Sequence, residues 1–161
     1  MYLNHKFLGF VQALESYVRS SVPDFEDEAR KTAHAKNVAS AIAALPELKS
    51  WLEDKLSYVG EMSLQEKLQW ALNSLAPLSH KIIPDQTTFI QNVKRTRHFF
   101  THFDPKLKKK ALAGQELYFL TEQVRLVLEL CLLRDLDFGQ DELTAFLRRT
   151  QRLVELPTNP V

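Results

Sequence analysis

Apolar residues recur every three or four positions through most of the chain, which is the spacing of one buried face of an α-helix. No stretch shows the strict apolar and polar alternation of a half-buried strand. In the opening stretch the pattern falls on Leu3, Phe7, Phe10, Val11, Leu14, Tyr17 and Val18. The hydrophobic pattern therefore predicts an all-α protein built as a helical bundle.

Prolines and glycines set the ends of the predicted helices, because proline cannot continue a helix and glycine often follows one. Pro23, Pro46 and Pro77 interrupt the pattern, and Gly60 and Gly139 end helices. The helices are predicted over about 2–20, 24–45, 46–60, 63–76, 84–103, 115–136 and from about 140 onwards.

The helix predicted over 115–136 is the longest and is apolar on most of its faces. One side carries Leu117, Leu120, Val124, Val127 and Cys131, and another carries Leu126, Leu130 and Leu133. A helix of this kind is buried on most sides. We therefore expect it to be the central helix of the bundle, or else to pack against a second chain as well.

Length and charge limit the classes of protein to which the chain can belong. A chain of 161 residues fits one domain, predicted over 1–161. A net charge of +1 argues against general coating of nucleic acid, so any contact with it should be local. The single Cys131 cannot form an intrachain disulfide. No run reaches the roughly 18 apolar residues of a membrane span, and the N-terminus lacks a signal-peptide pattern, so a cytoplasmic protein is expected.

The segment "RTRHFFTHFDPKLKKK" at 95–110 gathers the candidate chemistry. Arg97 and His102 are separated by four residues and fit the pattern R-x(4–6)-H, which Arg95 also fits with a gap of six. The pattern alone is common. Here the polar His98 follows Arg97, and Asp104-Pro105 ends the helix. A lysine-rich segment comes next, with Lys106, Lys108, Lys109 and Lys110.

This order of features resembles the HEPN superfamily, whose pattern is Arg, a polar residue and a short gap to His. "FLGFVQALESYVR" at 7–19 resembles the first helix of the Apea-like HEPN branch of anti-phage defence proteins. "ELYFLTEQVRLVLELCLLRDLDF" at 116–138 resembles its long hydrophobic helix. The resemblance covers about 2–150 and implies a HEPN-like bundle that acts as a dimeric, metal-independent endoribonuclease with no cofactor. Members usually carry a further N-terminal domain, so we expect either a C-terminal piece of a longer protein or a stand-alone member.

The residue types suit cleavage of RNA, which supplies its own nucleophile in the 2′-hydroxyl. Histidine titrates near neutral pH and serves as base or acid, whereas arginine stays charged and binds phosphate through two donors. We assign Arg97 to transition-state charge, His102 to proton transfer, and His98 to orienting the site or contacting phosphate. Contacts to the RNA backbone are expected from Arg95, Lys106, Lys108, Lys109 and Lys110.

Helix geometry limits how this site can assemble. Five steps of about 100° leave Arg97 and His102 about 140° apart around a regular helix. Either the helix loosens at its end or facing copies of the motif combine across a two-fold axis. The sequence therefore predicts a homodimer whose two motifs face one shared cleft.

The main chemical alternative to metal-independent cleavage is a metal site, because His98 and His102 lie four residues apart with Asp104 nearby. It is not favoured: Phe99 stands where the general-base glutamate of a zinc helix would be, and the neighbouring arginines would repel a divalent cation.

Plainer interpretations exist for most of these residues. Phe99, Phe100 and Phe103 are expected to pack in the core rather than to stack on bases. Glu15 is expected to be a surface acid, although it could hold an active-site side chain. As whole-protein alternatives, the chain could be a non-catalytic HEPN module for dimerisation or partner docking, or a toxin silenced by a nucleotidyltransferase-like antitoxin. The substrate would be RNA, with transfer RNA among the candidates.

Overall fold

The computed structural model describes residues 2–56 and 61–149, without the side chains of 24–27. This part of the chain forms α-helices and two short 3₁₀ turns but no strand, which confirms the all-α prediction. The helices are α1 (Leu3–Ser21), α2 (Asp24–Ala44), α3 (Lys49–Leu56), α4 (Leu64–Ser74), α5 (Leu78–Ile82), α6 (Gln86–His102), α7 (Gly114–Asp135) and α8 (Gln140–Arg149). The 3₁₀ turns are Pro46–Leu48 and Pro105–Leu107.

The described residues group into two compact units. The first combines α1 as far as Val18 with the described chain from Leu64 onwards, and the second covers Arg19–Ser63. In the second unit α2 packs with α3, yet α3 has no buried residue and Trp51 is 58% exposed. The helix end predicted at Gly60 lies outside the described residues.

The core of the first unit forms around α7, which packs against α4, α6 and α8. Its buried residues lie on two sides of the helix, as the sequence pattern predicted, and the expectation of a long hydrophobic central helix is confirmed. The same core includes Phe7, Val11, Leu14, Leu68, Leu72, Phe89, Val93, Leu143 and Leu147. Burial of side chains of this size stabilises a fold by roughly 1.5–3 kcal/mol each before entropy is counted.

Arg134 near the end of α7 connects three helices. Its guanidinium donates to the Ser74 carbonyl of α4 and to the Tyr17 hydroxyl of α1, both at 3.0 Å. The Tyr17 hydroxyl in turn donates to the Cys131 carbonyl at 3.3 Å. Burial raises the pKa of the Cys131 thiol to about 11, so this side chain packs as a neutral group.

The region between α4 and α6 departs from the prediction. The helix expected to run to about 76 ends at Ser74, and the five-residue helix α5 follows Pro77. Leu78, Ser79 and Ile82 of α5 are buried. Five residues are too few to show a helical period, which is why the sequence pattern does not reveal this element.

Candidate active site

Helix α6 presents the motif because its buried face and its N-terminus are both fixed. Asp85 caps the helix, its carboxylate accepting from the Thr88 N–H at 2.9 Å. Thr96 is fully buried and accepts from the Leu112 N–H at 3.1 Å, which attaches the segment after the motif to the helix. The buried face consists of Phe89, Ile90, Val93 and Thr96. The motif side chains therefore project from the remaining faces.

The helix ends immediately after His102. Phe103 adopts the left-handed conformation with φ of 51°, and its N–H donates to the Phe99 carbonyl at 2.7 Å. Asp104 then accepts from the Lys106 N–H at 2.9 Å and starts a 3₁₀ turn. Phe103 is 70% exposed, so the expectation that its ring packs in the core is wrong. Phe99 and Phe100 are half-buried.

His98 and His102 lie side by side on one face of α6. Their ring centroids are 4.8 Å apart, as expected for positions one helical turn apart. Asp104 Oδ2 lies 3.9 Å from His98 Nε2, at the same end of the helix. His98 is half exposed and His102 is exposed, so both rings are accessible to a substrate.

Arg97 points away from the two histidines, towards α1. Its Nη2 lies 3.5 Å from Glu15 Oε2, and the side chain is 37% exposed. The other carboxylate oxygen of Glu15 lies 3.9 Å from Nζ of Lys67 on α4. Glu15 is thus a shared partner of two cations rather than an ordinary surface acid, and its contact with Arg97 matches the other expectation, that it could hold a side chain of the motif.

The structure brings some of the predicted residues together and leaves others apart. Within residues 2–56 and 61–149 no hydrogen bond, ion pair or ring contact joins Arg97 to His102, in keeping with their angular separation on the helix. Arg95 is exposed and donates to Gln91 at 3.1 Å. The four lysines of the following segment, Lys106, Lys108, Lys109 and Lys110, are all exposed. Among the described residues no three His, Cys, Asp or Glu side chains gather in a way that could hold a metal ion.

Lys67 is the residue of this region that sequence reasoning missed. It is one of four buried residues of α4, with Leu68, Ala71 and Leu72. The signal was available, because Lys67 occupies an apolar position in the helical stripe that runs through Leu64, Leu68 and Ala71. A lysine in such a position requires a buried partner. The identity of that partner, on a distant helix, was not readable from the chain.

A comparison with known protein families identifies the family to which this fold belongs. The family model described as Apea-like HEPN matches residues 8–142, a range that includes the whole motif together with Glu15 and Lys67. The chain belongs to the Apea-like HEPN family. Neither a curated protein nor a solved structure matches it. HEPN domains are generally ribonucleases or defence-related, and they usually bind RNA and dimerise. No helix in the described part of this HEPN protein is long and apolar enough to cross a membrane.

Proposed function

We propose that this HEPN domain is a metal-independent endoribonuclease of an antiviral or toxin-type system that cleaves RNA by attack of the 2′-hydroxyl. The observation that carries the proposal is the exposed pair His98 and His102 at the end of α6, with the guanidinium of Arg97 on another face of the same helix. Proton transfer needs an accessible imidazole, and the phosphate needs a permanent cation nearby.

Each side chain has a defined step in this mechanism. His102 transfers protons between the 2′-hydroxyl and the departing 5′-oxygen, and Arg97 stabilises the charge on the phosphate. His98, adjacent to His102 and facing Asp104, orients the imidazole or contacts the phosphate. The products are a cyclic 2′,3′-phosphate and a free 5′-hydroxyl.

RNA reaches this site over the surface that follows α6. Arg95 and the lysines at 106, 108, 109 and 110 are exposed and suit contacts to phosphates, which position a nucleic acid without reading its sequence. Phe103 offers an exposed ring next to His102 on which an unpaired base can stack. These features favour single-stranded or looped RNA, transfer RNA loops included, as the substrate.

The active form is proposed to be a homodimer, because one copy of the chain does not join Arg97 to His102. The two residues are separated by about 140° and by about 7.5 Å along the helix axis. In a dimer whose α6 ends face each other, Arg97 of one copy and His102 of the other would meet over one phosphate.

Cleavage by purified protein tests the proposal directly. Arg97→Ala and His102→Ala should each reduce cleavage of a transfer RNA and of a single-stranded RNA at least a hundredfold, roughly the scale for losing a group that stabilises transition-state charge or a general acid or base. His80→Ala on α5 is the matched control, since it removes an exposed histidine outside the site. Both active-site variants should keep the helical circular dichroism signal of the unaltered protein. Full cleavage by either of them would refute the mechanism.

Metal independence is tested in the same assay. Cleavage should survive chelator treatment and exhaustive dialysis, and a substrate with 2′-deoxyribose at the attacked nucleotide should resist it. Loss of activity with chelator that zinc or manganese restores would favour a site built on His98, His102 and Asp104 instead. Equal cutting of single-stranded DNA would also contradict attack by the 2′-hydroxyl. Absence of any cleavage alongside tight dimerisation would favour the non-catalytic docking module.

A further inference from the structure

Lys67 is a buried cation close to the proposed active site, and it has no role in the cleavage mechanism proposed above. Its side chain is only 9% exposed, on the face of α4 that also buries Leu68 and Ala71. Removing an ammonium group from water is costly unless an opposite charge compensates it. The carboxylate of Glu15 lies 3.9 Å from its Nζ and provides that compensation.

Glu15 also faces Arg97, so one carboxylate lies between two cations. The Nη2 of Arg97 is 3.5 Å from Oε2 of Glu15, while Lys67 is on the side of Oε1. Both distances exceed the roughly 2.7–2.9 Å of a short charge-assisted hydrogen bond. Arg97 is therefore held by Coulombic attraction from one side, and its remaining donors stay available to a ligand.

Counting formal charges shows what Lys67 contributes. Glu15 and Arg97 alone would form a neutral pair, which would attract a phosphate weakly. With Lys67 the group of three carries one positive charge, close to the half-exposed guanidinium. In a partly buried region such a charge acts over several ångströms with little screening.

We propose that Lys67 and Glu15 are positioning residues for Arg97: Glu15 holds the guanidinium in place, and Lys67 cancels the charge of Glu15 so that Arg97 keeps its attraction for an RNA phosphate. The inference rests on the proposed function. A plain structural ion pair would only hold the helices together, whereas here the loss of Lys67 weakens the attraction for a phosphate and removal of the Glu15 charge compensates for that loss.

Binding of an RNA that cannot be cleaved tests this dependence apart from catalysis. The probe is a single-stranded RNA with 2′-O-methyl groups throughout, titrated by fluorescence anisotropy over a series of salt concentrations. Lys67→Met should weaken binding about tenfold, the effect of removing one nearby charge at an intermediate dielectric constant. Glu15→Gln should bind at least as tightly as the unaltered protein. The double variant Glu15→Gln with Lys67→Met should return to within about twofold of it, because its net charge is restored.

Lys94→Met is the matched control for the loss of a lysine. Lys94 is exposed on α6 and donates to Gln65 at 2.6 Å, so its charge is not set against a carboxylate. Combining Lys94→Met with Glu15→Gln should give only the sum of the two single effects. In cleavage assays Lys67→Met should mainly raise KM, whereas Glu15→Gln should mainly lower kcat, since it releases the guanidinium.

Several outcomes would overturn the inference. Equal loss of binding in Lys67→Met and in the double variant would mean that Lys67 acts through packing alone, and unaltered binding by Lys67→Met would remove its role. If Lys67→Met does not fold, two other variants test the inference. Lys67→Arg should bind the RNA as tightly as the unaltered protein. Weaker RNA binding by Glu15→Gln would refute the charge argument. Failure of the proposed function looks different, because then Arg97→Ala would bind and cut RNA like the unaltered protein.

Discussion

Phe103 adopts a backbone conformation that residues with a side chain disfavour. It follows the last residue of α6 with φ of 51°, a conformation that glycine adopts without strain and that costs a residue with a side chain roughly 1–2 kcal/mol. The ring gains little in return, because Phe103 is 70% exposed and, within 2–56 and 61–149, its ring meets one other ring edge-on, that of Phe99 at 6.2 Å between centroids. Strain of this kind concentrates at functional sites.

Replacing Phe103 with glycine should therefore stabilise the protein while weakening its function. We expect the free energy of unfolding in urea to rise by about 1 kcal/mol through loss of the strain. Phe103→Ala is the control, since it removes the ring and keeps the strained conformation, so it should not stabilise. If the ring stacks on an unpaired base, both variants should bind the uncleavable RNA more weakly. A less stable Phe103→Gly protein would contradict the assignment of strain.

At the scale of the element, α6 depends on its first residue as well as its last. The Asp85 carboxylate accepts from the Thr88 N–H, and hydrogen bonds from Thr88 lower the pKa of Asp85 below its ordinary value of 3.8. A carboxyl group whose pKa is lowered on folding contributes stability that is present above its unfolded pKa. That contribution is lost as the pH falls through the folded value.

Two variants distinguish the stability that comes from the capping hydrogen bond of Asp85 from the stability that comes from its charge. Asp85→Ala should lower the melting temperature at every pH, because the Thr88 N–H loses its acceptor. Asp85→Asn keeps an oxygen in place without a charge, so it should be less stable than the unaltered protein near neutral pH. That difference should shrink as the pH is lowered below 3.8 and the natural carboxyl becomes neutral. A difference that stays constant with pH in thermal melts would show that the charge is not involved.

The sequence predicted these elements well and the site less completely, for physical reasons. The ends of α6 and α7 follow from local signals, such as Asp85 and Asp104-Pro105, and were predicted within about one or two residues. The motif is local too, so its residues could be named. The contact of Glu15 with Arg97 and Lys67 joins three helices, and it depends on how those helices pack, which no local signal encodes.

At the scale of the whole molecule, we expect the proposed homodimer to form through an exposed apolar residue close to the motif. Tyr118 and Leu132 of α7, together with Leu136 immediately after its last residue, are exposed along one stripe, within about 40° of each other around the helix axis. Only Tyr118 belongs to the first turns of α7, directly after the lysine segment that follows the motif. In the proposed dimer, a cleft shared by the two motifs requires that the two copies contact each other near the N-terminal end of α7. A specific dimer should bury about 1,200–2,000 Å² in total.

Mixing inactive proteins tests both the dimer and the origin of its active site. If Arg97 of one copy acts with His102 of the other, a heterodimer of Arg97→Ala and His102→Ala contains one intact site, and it should regain about half the activity of the unaltered dimer, one site of two. If each site lies within one chain, both sites stay defective and no activity returns. Sedimentation at micromolar concentration should show dimers throughout. Tyr118→Glu should dissociate them, whereas Leu136→Glu, just past the far end of α7 and about 27 Å from Tyr118 along the helix axis, should not. A monomeric unaltered protein, or motifs more than about 20 Å apart in a dimer of domains about 30 Å across, would contradict the shared cleft.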